Sequence, residues 1–205
     1  MEKIDLLKIH KSEYATPKKP TLIQIKPAYY LTISGQGKPG GETFTTKIGA
    51  LYSVAFTLKM TRKFKGQHDY TIGKLECLWF VDSKMAADPT SQDRWRWKLL
   101  IRTPDFVTQS ELDQAITTLL KKGKETAIRE VKLELLEEDQ CVQMLHIGPY
   151  DQESKTIAIM KSFAEANGFT LKGPHHEIYF SDPRRVPPER LKTILREPVK
   201  ALSKK

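Results

Sequence analysis

Cysteine is scarce: Cys77 and Cys141 are the only two in 205 residues. That is too few for a disulfide framework or a cysteine-built metal site. Long apolar runs are missing as well, and none approaches the roughly 18–20 residues that cross a bilayer. The first residues, Met1 to Lys8, carry charges throughout and hold no apolar signal core. The expectation is a cytoplasmic protein with no membrane partner. A Gly-x-Ser-x-Gly elbow is absent, so a serine triad has no support. Gly35-x-Gly37 lacks the lysine and hydroxyl pair of a phosphate loop, and its expected job is to turn the chain. Metal-ligand spacing is lacking too. His175 and His176 are adjacent, and neighbours on a strand point to opposite faces. No metal and no cofactor are expected. The formal charge is +9, from 34 Lys+Arg against 25 Asp+Glu. The basic residues are scattered, and no helix-turn-helix, zinc finger or ribonucleoprotein motif accompanies them. A basic solvated surface, with no direct nucleic-acid partner, is the expected reading.

What is present reads as alternating short strands and amphipathic helices. Residues 1–20 look like a leader, with Thr16 to Pro20 irregular because proline restricts itself and its predecessor. Strands are expected at Leu22 to Lys26 and Tyr29 to Ser34, then a glycine-rich loop to Gly41. Phe44, Ile48, Leu51, Ala55 and Leu58 lay one apolar stripe along a helix. Strands follow at Leu75 to Val81 and Trp95 to Arg102, with a loop at Asp88-Pro89 between them. Ser110 is read as the cap of a second helix, with Leu112, Ile116 and Leu119 inward and Gly123 at its end. Val131, Leu133 and Leu135 mark a strand with one wet face, and Cys141 to Ile147 another. Residues 153–167 read as a helix with Thr156, Ile159, Phe163 and Ala166 inward. Glu177 to Ser181 and Leu191 to Arg196 are the last expected strands.

The order strand–helix–strand–strand thus occurs twice. Gly73 to Asp82 aligns without gaps on Gly173 to Asp182, with glycine, phenylalanine and aspartate recurring and Trp79 answering Tyr179. Trp97 to Pro104 answers Leu191 to Pro198, and Gly37 with Glu42 answers Gly148 with Glu153. A duplication is inferred. The expected fold is α+β, with duplicated strand–helix–strand–strand modules in one antiparallel sheet, helices on one face and a ligand groove at the module junction. The expected organisation is a single domain over 1–205: leader 1–20, first module 21–108, connecting helices 109–130, second module 131–205.

Strand alternation selects the side chains. Ile178 and Phe180 share one face, Glu177 and Tyr179 the other. Leu78 and Phe80 match the core pair, leaving Cys77 and Trp79 with the ring-bearing face. Trp79 and Tyr179 would stack a planar ligand, and Trp95 and Trp97 could add a wall. A tryptophan on a strand is more often core. Glu177, among rings, would be poorly solvated, and could hold a cation or move a proton. The plain alternative pairs it with Arg196 or Lys192. His175 shares its parity and could orient it. Glu76 is on the opposite parity unless a bulge resets the strand, and His146 is as easily structural.

Three stretches resemble the GyrI-like small-molecule-binding family: Gln143 to Asp151, His175 to Arg185 and Leu191 to Pro198. Leu75 to Trp79 and Trp95 to Trp97 resemble a stand-alone branch similar to cyclopropanoid cyclopropyl hydrolases. The resemblance implies a groove that binds planar lipophilic molecules. In multidrug-binding relatives a glutamate and rings hold lipophilic cations, where Glu177 and Tyr179 stand here. The hydrolase branch opens the strained cyclopropane of DNA-alkylating compounds within an aromatic cage. Trp79, Trp97 and Tyr179 are the cage candidates, with Tyr150, Glu76 and His175 as further ligand contacts and Glu177 as the catalytic group. Phe80 stands where relatives often carry tryptophan, and Cys77 where they often carry glycine. A non-catalytic drug-sequestering protein and a partner of DNA gyrase remain the alternatives.

Overall fold

The computed structural model describes residues 3–80 and 89–202. The expected strand end at Val81, the recurring Asp82, the loop residue Asp88 and the basic tail 203–205 lie outside them. The fold is α+β, with antiparallel sheet pairing. No helix among the described residues is long and apolar enough to cross a membrane. The chain forms two compact units, Met1–Lys11 with Ala28–Leu136 and Ser12–Pro27 with Glu137–Lys205.

The first unit begins with the single-turn helix α1 (Leu6–Ile9), capped by the Asp5 carboxylate. Its sheet has the order β3 (Leu75–Phe80), β4 (Arg96–Arg102), β2 (Ala28–Gln36), β5 (Lys132–Leu136). Helix α2 (Glu42–Phe64) turns Phe44, Leu51, Val54, Ala55 and Leu58 inward, close to the expected stripe. Phe44 stacks on Trp79 at 5.7 Å between centroids and meets Trp97 edge-on at 4.8 Å. Trp79 and Trp97 are direct cross-strand partners, so they share a face. This corrects one expectation. The Cys77–Trp79 face is the one that α2 covers; Leu78 and Phe80 point the other way, and Phe80 is exposed. Both faces of β3 are apolar, so alternation gives parity without saying which parity the helix meets. On the Leu78 face, Ala28, Tyr30, Leu78 and Leu100 form a second cluster.

Helix α3 (Gln109–Lys121) has its cap two residues before the expected one. Thr108, not Ser110, is the N-cap, and Glu111 returns the bond to complete a capping box. Ser110 is itself helical and exposed.

In the second unit the order is β1 (Thr21–Ile25), β6 (Asp139–Ile147), β9 (Lys192–Ala201), β8 (His175–Tyr179). The three-residue β7 (Phe169–Leu171), too short for a sequence pattern, also pairs with β9. Although β1 is next to β2 in sequence, it pairs with β6. The leader before it is anchored: Gln143 Nε2 donates to the Glu13 and Ala15 carbonyls at 3.2 and 2.7 Å. Helix α4 (Glu153–Ala166) buries Glu153, Thr156, Met160 and Ala164. Met160 and Ala164 pack on Val142 and Leu195. Of the inward residues expected from the sequence, Thr156 stands, but Ile159 is half exposed. The true inward stripe opens on two polar residues, which an apolar pattern passes over.

Candidate functional site

The reason for those polar positions lies at the N-terminal end of α4. Thr156 Oγ1 meets His146 Nδ1 at 2.9 Å, and the other ring nitrogen meets the Pro149 carbonyl at 3.1 Å. His146 therefore joins β6 to the turn before α4, a structural task. Glu153, one turn earlier, faces β8, where His175, Glu177 and Tyr179 alternate on the same face. The structure brings together Glu153, His175 and Glu177, whose ligating atoms all lie within 4.8 Å of one another. That spacing is close enough for one small cation, a proton included. His175 Nε2 is 3.3 Å from Glu177 Oε1, and its Nδ1 is 2.6 Å from Glu197 Oε1. Register explains the second bond: His176 is paired with Arg196, which sets Glu197 beside His175.

The charges follow from the partners. Burial opposes ionisation of Glu177, but the His175 bond and charge, with hydrogen bonds from Tyr179 and Glu153, hold its carboxyl below the usual range. His175 is partly buried, and desolvation disfavours its cation, yet its interactions with Glu177 and Glu197 raise it well above the ordinary imidazole value. Glu153 goes the other way. Burial and the neighbouring Glu177 charge push it up to about 10. Two close buried carboxylates resist joint ionisation, so one keeps its proton. Tyr150 sits edge-on to Tyr179 at 5.9 Å, and burial with the nearby carboxylates pushes its hydroxyl up to about 12.

Sequence alternation had put His175, Glu177 and Tyr179 on one face, and they are found together with Tyr150. Glu153 entered only as a mark of the repeat. The available signal was a polar residue three positions before Thr156 and seven before Met160, on the inward face. Arg196 and Lys192 do not pair with Glu177. Arg196 is on the opposite face, bonded to Glu138, Gln143 and the Glu13 carbonyl. His176 joins that second network through Glu138 at 2.9 Å.

The remaining ring candidates belong to the first unit. Trp97 is 1% exposed, and its Nε1 donates to the Gly37 carbonyl at 3.0 Å. Trp79 is 7% exposed, lies between Phe44 and Trp95, and its buried Nε1 has no acceptor among the described residues. Glu76 is fully buried on the Leu78 face, and the β3–β4 register runs without the bulge that would turn it. Open cavities of about 360 and 500 Å³ also lie in this unit, the first around Lys98 and Glu134, the second beside Phe80 and Arg96. Neither includes the carboxylate cluster.

Residues 103–200 match the model of the GyrI-like small molecule binding domain, and the chain belongs to the GyrI-like family. It is similar to an uncharacterized conserved protein from Listeria innocua: 39% identity, TM-score 0.90, covering 97% of this chain and 100% of that one. A hydrolase from the same organism is 37% identical with TM-score 0.89 over the same shares. The EcmrR C-terminal domain, 12% identical with TM-score 0.59 over 90% of this chain and 98% of its own, shares the fold alone. No curated protein matches the sequence.

Proposed function

We propose that this protein binds planar, largely apolar compounds bearing a strained cyclopropane and opens that ring with water, so detoxifying them. The family assignment supports small-molecule binding, and the 37%-identical hydrolase supports catalysis. The choice of substrate rests on the resemblance of the strand motifs to cyclopropyl hydrolases. The observation that carries the reading is Glu177 Oε1 lying 3.3 Å from His175 Nε2 in a buried cluster beside the Tyr150–Tyr179 ring pair. Such a carboxylate is desolvated yet charged, ready to orient water toward an electrophilic carbon. A strained ring supplies its own driving force, so positioning and modest acid–base assistance suffice. Tyr150 and Tyr179 contact the substrate beside the cluster.

Glu177→Gln tests this. It is expected to slow ring opening of a planar cyclopropane-bearing alkylator by roughly 10²–10⁴-fold, read by mass spectrometry, in a variant that still unfolds cooperatively. Full turnover and full binding in the variant would remove Glu177 from the reaction. Stoichiometric retention by the wild type without product would favour a sequestering protein instead. Capture of DNA gyrase that needs no small molecule would favour the gyrase-partner reading.

A further inference from the structure

We propose that Glu153 is the acid of this reaction and Glu177 its base, so that the two neighbouring carboxylates divide one proton transfer between them. The inference rests on the ring-opening reading above.

The division follows from an asymmetry of partners. Glu177 faces a cation: His175 Nε2 is 3.3 Å from its Oε1, and Glu197 grips the other ring nitrogen at 2.6 Å. Glu197 thereby keeps His175 turned and charged, acting as a positioning residue. Glu153 feels the same His175 charge, but less strongly than it feels burial and the Glu177 carboxylate. Its side chain bonds Glu177 and Thr193, while its Oε1 is buried without a hydrogen-bond partner among the described residues. At 5% exposure water cannot screen it from Glu177. The titratable groups facing Glu153 from packed elements are Glu177 and His175 on β8, with the neutral Tyr150 in the preceding turn. As the first residue of α4, Glu153 also feels the helix dipole, which favours a negative charge. Burial and the Glu177 charge outweigh that pull and hold the carboxyl well above the ordinary carboxylate range.

The step balances without any oxidant or co-reactant. Glu153 gives its proton to the carbonyl oxygen conjugated with the cyclopropane. A ring C–C bond breaks, and its electron pair moves into the conjugated system. Water forms a C–O bond at the released carbon and passes its proton to Glu177. The hydrogen bond between the two carboxylates then returns that proton to Glu153. The net change is substrate plus water to ring-opened alcohol.

The experiment is the pH dependence of kcat/KM for wild type, E153Q and E177Q on one cyclopropane-bearing planar alkylator. Wild type is expected to be bell-shaped, falling in acid as Glu177 takes a proton and in alkali as Glu153 loses one. E153Q is expected to lose roughly 10²–10⁴-fold in rate, and to lose the alkaline limb, while its ligand Kd stays within about three-fold. E177Q should lose the acidic limb instead. An E153Q protein with wild-type rate and an intact alkaline limb would overturn the assignment. A wild-type profile without an alkaline limb would overturn it even if E153Q did not fold. Failure of wild type to form any product would sink the ring-opening reading itself, a different outcome from a neutral E153Q.

Discussion

Arg196 is almost wholly buried, and its guanidinium reaches Glu138 at 3.0 Å, Gln143 at 2.9 Å and the Glu13 carbonyl at 2.6 Å. One residue thus ties β9 to β6 and to the leader. Burial opposes the Glu138 charge, but His176 and Arg196 overcome it and hold the carboxyl at about 2, against an ordinary 4.5. A depressed folded value means that this stability is fully present above about pH 4.5 and lost as pH falls toward 2. Thermal melts should therefore drop over that window. Arg196→Ala is expected to cost about 3–5 kcal/mol at neutral pH, because it strands a buried carboxylate. A chemical denaturation midpoint equal to wild type would refute the network's role. At this scale the sequence was partly legible. Alternation put His175, Glu177 and Tyr179 on one face, since strand geometry is local. Glu153 was not legible as a partner of Glu177, because their meeting depends on how α4 lies on β8.

Among elements, the strand and helix order was readable, and the failures share a cause. Periodicity reports which residues share a face, not what covers that face. For β3, Leu78 and Trp79 are both apolar, and only Phe44 on α2 decides that the tryptophan side is the one the helix covers. For α4, polar Glu153 and Thr156 occupy inward positions while Ile159 faces outward. The capping box at Thr108 was missed because Ser110 offered an equally good hydroxyl two residues on. Gly35 provides an element-scale test. It is paired with Trp97 across β2 and β4, and a methyl group there would enter the indole ring. Gly35→Ala is expected to destabilise by about 1–3 kcal/mol through overpacking and to change the tryptophan fluorescence. Unaltered stability and emission would mean that Trp97 is not held against the strand.

Over the whole molecule, the α+β class and family were legible from strand motifs, whereas the pairing of β1 with β6 was not. Two strands adjacent in sequence usually pair, and only the long-range register Thr21 to Gln143 shows that these do not. The proposed function turns at this scale on whether the protein consumes a bound compound or only retains it. Turnover of a cyclopropane-bearing planar alkylator in isotopically labelled water measures that directly. Many product molecules per protein are expected, each carrying one labelled oxygen on the opened ring. Stoichiometric retention of intact compound, or product without the label, would contradict it.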